Sequence, residues 1–341
     1  MSETRIYGGQ AVMEGVMMRG RRHMAVAVRA PNGEIAVYHE PLKMGKWTDR
    51  ARPLPFIRGV FMLWDTMVLG MRSLVFSANV GLIEGNVKEN KEAPEDDITG
   101  TALWVTVAIS ILFSIALFFI LPLAITGFLD RYIASDTLSN VVEGAIRLII
   151  LVGYMLLIGR MNDIKRVFSY HGAEHKTINA YEAGDALTVD NVRKHSISHP
   201  RCGTGFLLVV VLLSIFVFAL LGRPDWFWRI SSRIFLVPVI AAIAYEFIKL
   251  TAQYYENTLI KILVAPSMAL QRLTTRPPDD SMLEVAIVSF KRVQASEGEI
   301  AESESEHDDV VYVDESGLPL EPAAEEEAPA RTPEPATSTA S

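Results

Sequence analysis

The chain has a single cysteine, Cys202, so no intrachain disulfide can staple it. Its first residues, Met1 to Gly9, lack an apolar h-region, which predicts that no cleavable signal peptide is present. There is no Walker A loop, no dinucleotide-binding glycine fingerprint and no G-x-S-x-G elbow. Basic and aromatic residues are not interleaved in the manner of a specific nucleic-acid reader, so no nucleic-acid partner is expected.

Charge is missing in two long runs. Ile98–Leu129 carries none for 32 positions and Gly203–Gly222 none for 20. About 20 apolar residues on a helix cross the hydrocarbon core of a bilayer, so each run is long enough to span. The tail is short of bases instead. From Ser296 onward it holds 14 acidic residues and only Arg331 as a base, a net of -13. Subtracting this from the chain's -8 leaves +5 on residues 1–295. A mildly basic body suits a surface beside anionic lipid.

The remaining patterning predicts a mainly α, multi-pass membrane protein with a small β-rich N-terminal module over residues 1–50. Two alternating runs, Met24–Ala30 and Ile35–His39, flank Pro31-Asn32-Gly33-Glu34, and Asn-Gly is suited to a tight hairpin turn. Residues 51–97 read as an interfacial or partly inserted helix and a charged linker, Lys88–Asp97. Arg58, Asp65, Arg72 and Asn79 recur every seven residues there and form a polar line on an otherwise apolar helix. Four spans follow, at about Thr101–Leu123 and Asn140–Gly159 (residues 98–160), then Thr204–Leu221 and Ser232–Leu250 (residues 204–252). Glu143 and Arg147, four apart, can pair on one helix face.

Between the pairs of spans lies a polar loop, 161–203. After the fourth, residues 253–295 read as an interfacial stretch stopped by Pro266, then a short helix, Met282–Val293, opened by a capping box at Ser281 and Glu284. The bias to Glu, Ser, Pro and Ala predicts a disordered tail over 296–341. Lys and Arg are abundant before the first span and in the 161–203 loop, and sparse in the loops between. Both termini and that loop are therefore expected on the cytoplasmic face.

Four of the seven histidines fall in that loop: His171, His175, His195 and His199. His171-Gly-Ala-Glu174-His175 is the pattern H-x-x-E-H. On a helix it gathers two imidazoles and a carboxylate on one face, a set that can hold a metal and take a proton from water. His199-Pro-Arg-Cys202 ends the loop. Imidazole and thiolate suit Zn²⁺, and His171, His175, His199 and Cys202 together would make a complete tetrahedral set. Complete coordination points to a structural site, and an open position to a catalytic one. The same histidines could instead hydrogen-bond to backbone and headgroups with no metal, and His195 reads as a surface residue.

Four motifs resemble the YqhQ-like family, bacterial domain of unknown function 1385. They are Gly8–Gly20, Tyr170–Asn179, His199–Phe206 and Leu270–Asp280, and the likeness runs over about residues 5–294. The chain departs from the family pattern at Gly205, where Ser is expected, and at Arg276-Pro-Pro, where Arg-Glu-Pro is expected. The resemblance implies a bacterial inner-membrane protein and a metal-dependent enzyme, with His171, His175, His199 and Cys202 as ligands and Glu14 and Glu174 as acidic partners. A hydrolase using a divalent metal, Zn²⁺ by its donors, is the first reading. A non-enzymatic membrane scaffold or assembly factor with a structural site is the second. A transporter is the weakest, because few polar residues line the spans. The expected partners are the lipid bilayer and, beyond it, other membrane proteins or further copies of the chain.

Overall fold

The computed structural model describes residues 7–42, 54–88 and 101–320, apart from Arg223, Glu256 and Asp308. Four antiparallel strands open it: β1 (Gly8–Val12), β2 (Gly15–Arg19), β3 (His23–Arg29) and β4 (Ile35–Pro41). Val28 faces Ala36 and Arg29 faces Ile35 across the turn, where Gly33 takes φ of 102° as the Asn-Gly pair predicts. Alternation along the strands gives the sheet two apolar faces. Val16, Met18, Ala25, Ala27 and Val37 join one core, and Val12, Met17, Met24, Val26 and Val28 the other.

Helices cover both faces. The second face is covered by α1 (Ile57–Lys88) through Leu69, Phe76 and Val80. The heptad line on α1 is its docking seam: Arg58 pairs with Glu246, Asp65 with Arg19, and Arg72 with Glu40 and Glu315. Asn79 is buried.

The apolar helices follow. α2 (Thr101–Ile115) runs through a π-helical turn, Ala116–Ile120, into α3 (Leu121–Leu129). Next come α4 (Asp136–Ile158), α5 (Asn162–Ala183) and the single turn α6 (Val189–Val192). They are followed by α7 (Gly203–Leu220), α8 (Trp226–Gln253) and α9 (Thr258–Gln271). α10 (Asp280–Glu297) then packs with α5 on the first sheet face, burying Leu283, Phe290 and Val293. Its N-cap is Asp279, whose carboxylate accepts the Met282 N–H, so the cap lies two residues before the expected Ser281.

Among the described residues five helices are long and apolar enough to cross a membrane: Ile57–Leu82, Trp104–Tyr132, Asp136–Ile158, Gly203–Leu220 and Phe227–Gln253. Four of them correspond to the expected spans, and the other is the helix read as interfacial or partly inserted. Two further expectations change. Pro266 does not stop α9, which continues five residues past it. The acidic segment is structured as far as residue 320. It forms α11 (Glu302–Ser305) and β5 (Val310–Tyr312), and β5 pairs parallel to β4. A short strand gains its hydrogen bonds from an edge that already exists, so a composition too polar for a core of its own does not prevent it. The rest of the tail, 321–341, and the linker 89–97 lie outside the described residues.

Glu143 and Arg147 do pair, at 2.9 Å, within a larger buried cluster. Arg229 and Arg233 of α8 both reach Glu143, at 3.0 and 2.7 Å, and Arg229 also meets Asp130. The π-helical turn presents the Phe118 carbonyl, which accepts from Arg147 Nε.

Candidate metal centre

The site is built on α5, which Gly184 terminates in the left-handed conformation (φ 80°) that the sequence predicts for its cap. The helix is pressed against the 274–276 segment. A Cβ on Gly172 would stand 2.1 Å from the Arg276 carbonyl oxygen, so only glycine fits there. Arg276 N–H in turn donates to the Phe168 carbonyl.

This contact orients the histidines. His171 Nδ1 lies 2.9 Å from the Thr274 carbonyl and His175 Nδ1 2.7 Å from the Ile197 carbonyl. A carbonyl only accepts, so each Nδ1 carries the proton and each Nε2 presents a lone pair, the arrangement in which a backbone carbonyl fixes a metal-binding tautomer. His171 Nε2 is 3.3 Å from Cys202 Sγ. Donor atoms of His171, His175 and Cys202 all lie within 4.8 Å of one another. Cys202 is the N-cap of α7, and its sulfur accepts the Thr204 N–H at 3.4 Å.

Glu174 closes the group. Its Oε2 lies 3.8 Å from His171 Nε2 and 3.9 Å from His175 Nε2. Burial raises its pKa, against the opposing influence of His171 and the Gly9 N–H bound to its carboxylate. Gly9 has no room for a side chain: a Cβ there would meet the Met17 carbonyl at 2.7 Å and Glu174 Cγ at 2.8 Å. Strand β1 thus forms a wall of a cavity of about 90 Å³, lined also by Tyr7, Ile178, His199, Arg201 and Gly203.

His199 is buried beside the cluster rather than in it. Its ring centroid is 5.7 Å from that of His175, and its Nε2 lies 3.5 Å from Glu182 Oε2, short of a hydrogen bond. Burial lowers the pKa of His199. Burial also acts to raise that of Glu182, but His199 and Arg201 outweigh it and bring the carboxyl down to about 2. Gln271 holds the His199 main chain from both sides, accepting its N–H and donating to its carbonyl. Glu14 does not line the cavity. It occupies the β1–β2 turn, with φ of 52°, and pairs with Arg166 at 2.5 Å. His195 pairs with Asp185 at 2.8 Å, away from the cluster.

The sequence reading did not assign Thr274, Ile197, Gly9, Gln271 or Glu182 to the site. Gly9 and the Gln271–Thr274 stretch do fall inside two of the four family-like motifs, a signal that these stretches matter without saying how. Ile197 acts through its main chain, which carries no side-chain signature.

The molecule is therefore a bundle of apolar, membrane-compatible helices carrying a sheet-and-helix body with a His/Cys/Glu cavity at the junction. The family model described as "Protein of unknown function (DUF1385)" matches residues 54–296. The chain is 34% identical over 291 residues to the uncharacterized protein YqhQ of Bacillus subtilis (strain 168), covering 84% of this chain and 92% of that protein. The chain belongs to this YqhQ-like family. No solved structure matches it significantly.

Proposed function

We propose that this protein is a membrane-embedded, metal-dependent hydrolase whose site faces the cytoplasm. One observation carries the reading: two imidazoles, each with Nδ1–H spent on a main-chain carbonyl, turn Nε2 lone pairs toward Cys202 and a buried glutamate. His171, His175 and Cys202 are the ligands, and their soft-to-borderline donors suit Zn²⁺. A bound Zn²⁺ would supply a polarised water at neutral pH. Three protein ligands would leave a position for that water, and the Glu174 carboxylate, 3.8 and 3.9 Å from the two Nε2 atoms, would be the group to take its proton. Arg201 and the Gly8–Gly9 backbone form the wall a substrate would meet. The cytoplasmic assignment rests on the Lys and Arg bias before the first long apolar run and in the 161–203 loop.

The nearness of the His199 ring, 5.7 Å from that of His175, is the basis of a second reading, a closed structural site with four protein ligands. Metal analysis and X-ray absorption on the protein purified from membranes separate the two. The enzyme reading expects about one Zn²⁺ per chain with two N, one S and an oxygen, and loss of metal in His171→Ala with His175→Ala. Glu174→Gln is expected to keep the metal and to abolish turnover of whichever ester, phosphoester or peptide reporter the wild type cleaves. Metal-free wild type would overturn both readings. A fourth nitrogen or sulfur ligand, with unchanged behaviour of Glu174→Gln, would establish the structural site.

A further inference from the structure

Among the described residues five helices satisfy the length and composition of a membrane span, yet the tertiary structure does not accommodate five crossings. Strand β5 pairs with β4, so residues 35–41 and 310–312 share one sheet and one side of any bilayer. Helix α5 belongs to the same body, because Glu174 takes the Gly9 N–H and Arg166 pairs with Glu14. The chain leaves this body after β4, returns at α5, leaves again at α7 and returns at α10. Each excursion must cross an even number of times. The second uses α7 and α8, since α9, at 14 residues, is about 21 Å long and falls short of a core of about 30 Å. The first offers three candidates, α1, the α2–α3 rod and α4, and one of them must stay on the near side.

We infer that α1 is that helix and that it lies along the bilayer surface, its outer face in lipid and its inner face under the sheet. It is the least apolar of the five. Its inner face is already occupied by the body: Leu69, Phe76 and Val80 complete the second sheet core, and Asp65 and Arg72 pair with strand residues. A helix that roofs a soluble sheet along this length is not threading the hydrocarbon core.

Its outer face carries Val60, Trp64, Met67, Val68 and Met71, all exposed, with Trp64 at 63%. At about 100° per residue these are centred on the side of the helix opposite Leu69, Phe76 and Val80. The occupant of this face is lipid, because the face is continuous with the spans. Arg58 binds Glu246, and Gly59 lies against Ala242 and Tyr245, in the C-terminal half of α8, the half that returns to the body. α9 adds a second exposed apolar strip, Leu259, Ile262 and Leu263, consistent with the same surface.

The experiment uses the full chain in proteoliposomes and in sealed membrane vesicles of both orientations. Single cysteines are placed at Glu34 in the β3–β4 turn, at Asp190 and at Glu315, with the parent chain as the background for buried Cys202. An impermeant maleimide is expected to label all three in the same vesicle orientation. Labelling of position 34 from the side opposite 190 would make α1 a crossing and overturn the proposal. A nitroxide at Met67 or Met71 is expected to be relaxed by oxygen more than by an aqueous nickel chelate, at a shallow depth. One at Ile149, exposed near the middle of α4, supplies the reference for the bilayer interior. A Met67 label as deep as the Ile149 label would overturn the proposal. So would a label shielded from lipid that Met67→Cys disulfide cross-linking traces to a second copy of the chain.

Discussion

A histidine becomes a dependable ligand when something else fixes its ring. In this site main-chain carbonyls do so, and the glycines let the main chain come close enough. Gly172 is the sharpest case, since any Cβ would strike the Arg276 carbonyl and push the 274–276 segment away from His171. Gly172→Ala is expected to destabilise the protein by about 1–3 kcal/mol through overpacking. It should also weaken Zn²⁺ binding by about 10–100-fold, the range for loss of an orienting partner. Thermal unfolding in detergent and competition with a chromophoric chelator measure the two effects. Gly153→Ala, on α4 with nothing within 4 Å of the added carbon, is the neutral comparison. At this scale the sequence exposes side chains and hides main chains. The spacing of His171, Glu174 and His175 is legible because a helix imposes it. The Thr274 and Ile197 carbonyls are invisible because every residue has one. His199 is a suitable ligand type at a suitable spacing, and the sequence gives no hint that its Nε2 lies 3.5 Å from Glu182.

At the scale of elements, ions decide how the apolar helices fit together. Lipid tails are as apolar as the helices, so burial alone does not choose partners among them. Glu143 chooses: Arg147, Arg229 and Arg233 all close on one carboxylate that is 2% exposed. Glu143→Gln leaves guanidinium groups buried around a neutral amide, and about 3–5 kcal/mol of stability should go with it, as when one partner of a buried pair is removed. Glu246→Gln, which frees the more accessible Arg58, should cost far less, near the range of about 0–1 kcal/mol for surface pairs. Unfolding titrations of both variants in the same detergent test the ranking, and equal losses would refute it. The Glu143–Arg147 half of the cluster is readable from a four-residue interval. The α8 half is not, because nothing local says that Arg229 and Arg233 face another helix. Helix ends fared better where a cap is chemical, as at Gly184. They fared worse at Pro266, whose missing N–H a short, partly exposed helix tolerates.

At the scale of the molecule, the site belongs to no single segment. The proposed ligands come from α5 and from the turn before α7, the glutamate is held by β1, and the sheet that positions β1 is backed by α10. Sequence reading places these stretches on one face by counting basic residues, but it cannot show that they form one core. α10 carries no ligand, yet it buries Leu283, Phe290 and Val293 against the sheet and α5. At about 1.5–3 kcal/mol for each large apolar side chain, removing these three alone approaches the whole stability of a typical domain, about 5–15 kcal/mol. Truncation after Pro278 should therefore abolish the metal site although it retains His171, Glu174, His175, His199 and Cys202. The truncated chain is expected to insert in the membrane through α2–α4 and α7–α8 but to lose bound Zn²⁺ and to yield to protease between residues 8 and 42. Supplying residues 279–341 as a separate chain in the same cells should restore part of both. Retention of full metal content after truncation would show instead that α5 and the α7 cap hold the ion by themselves, with the sheet as an accessory.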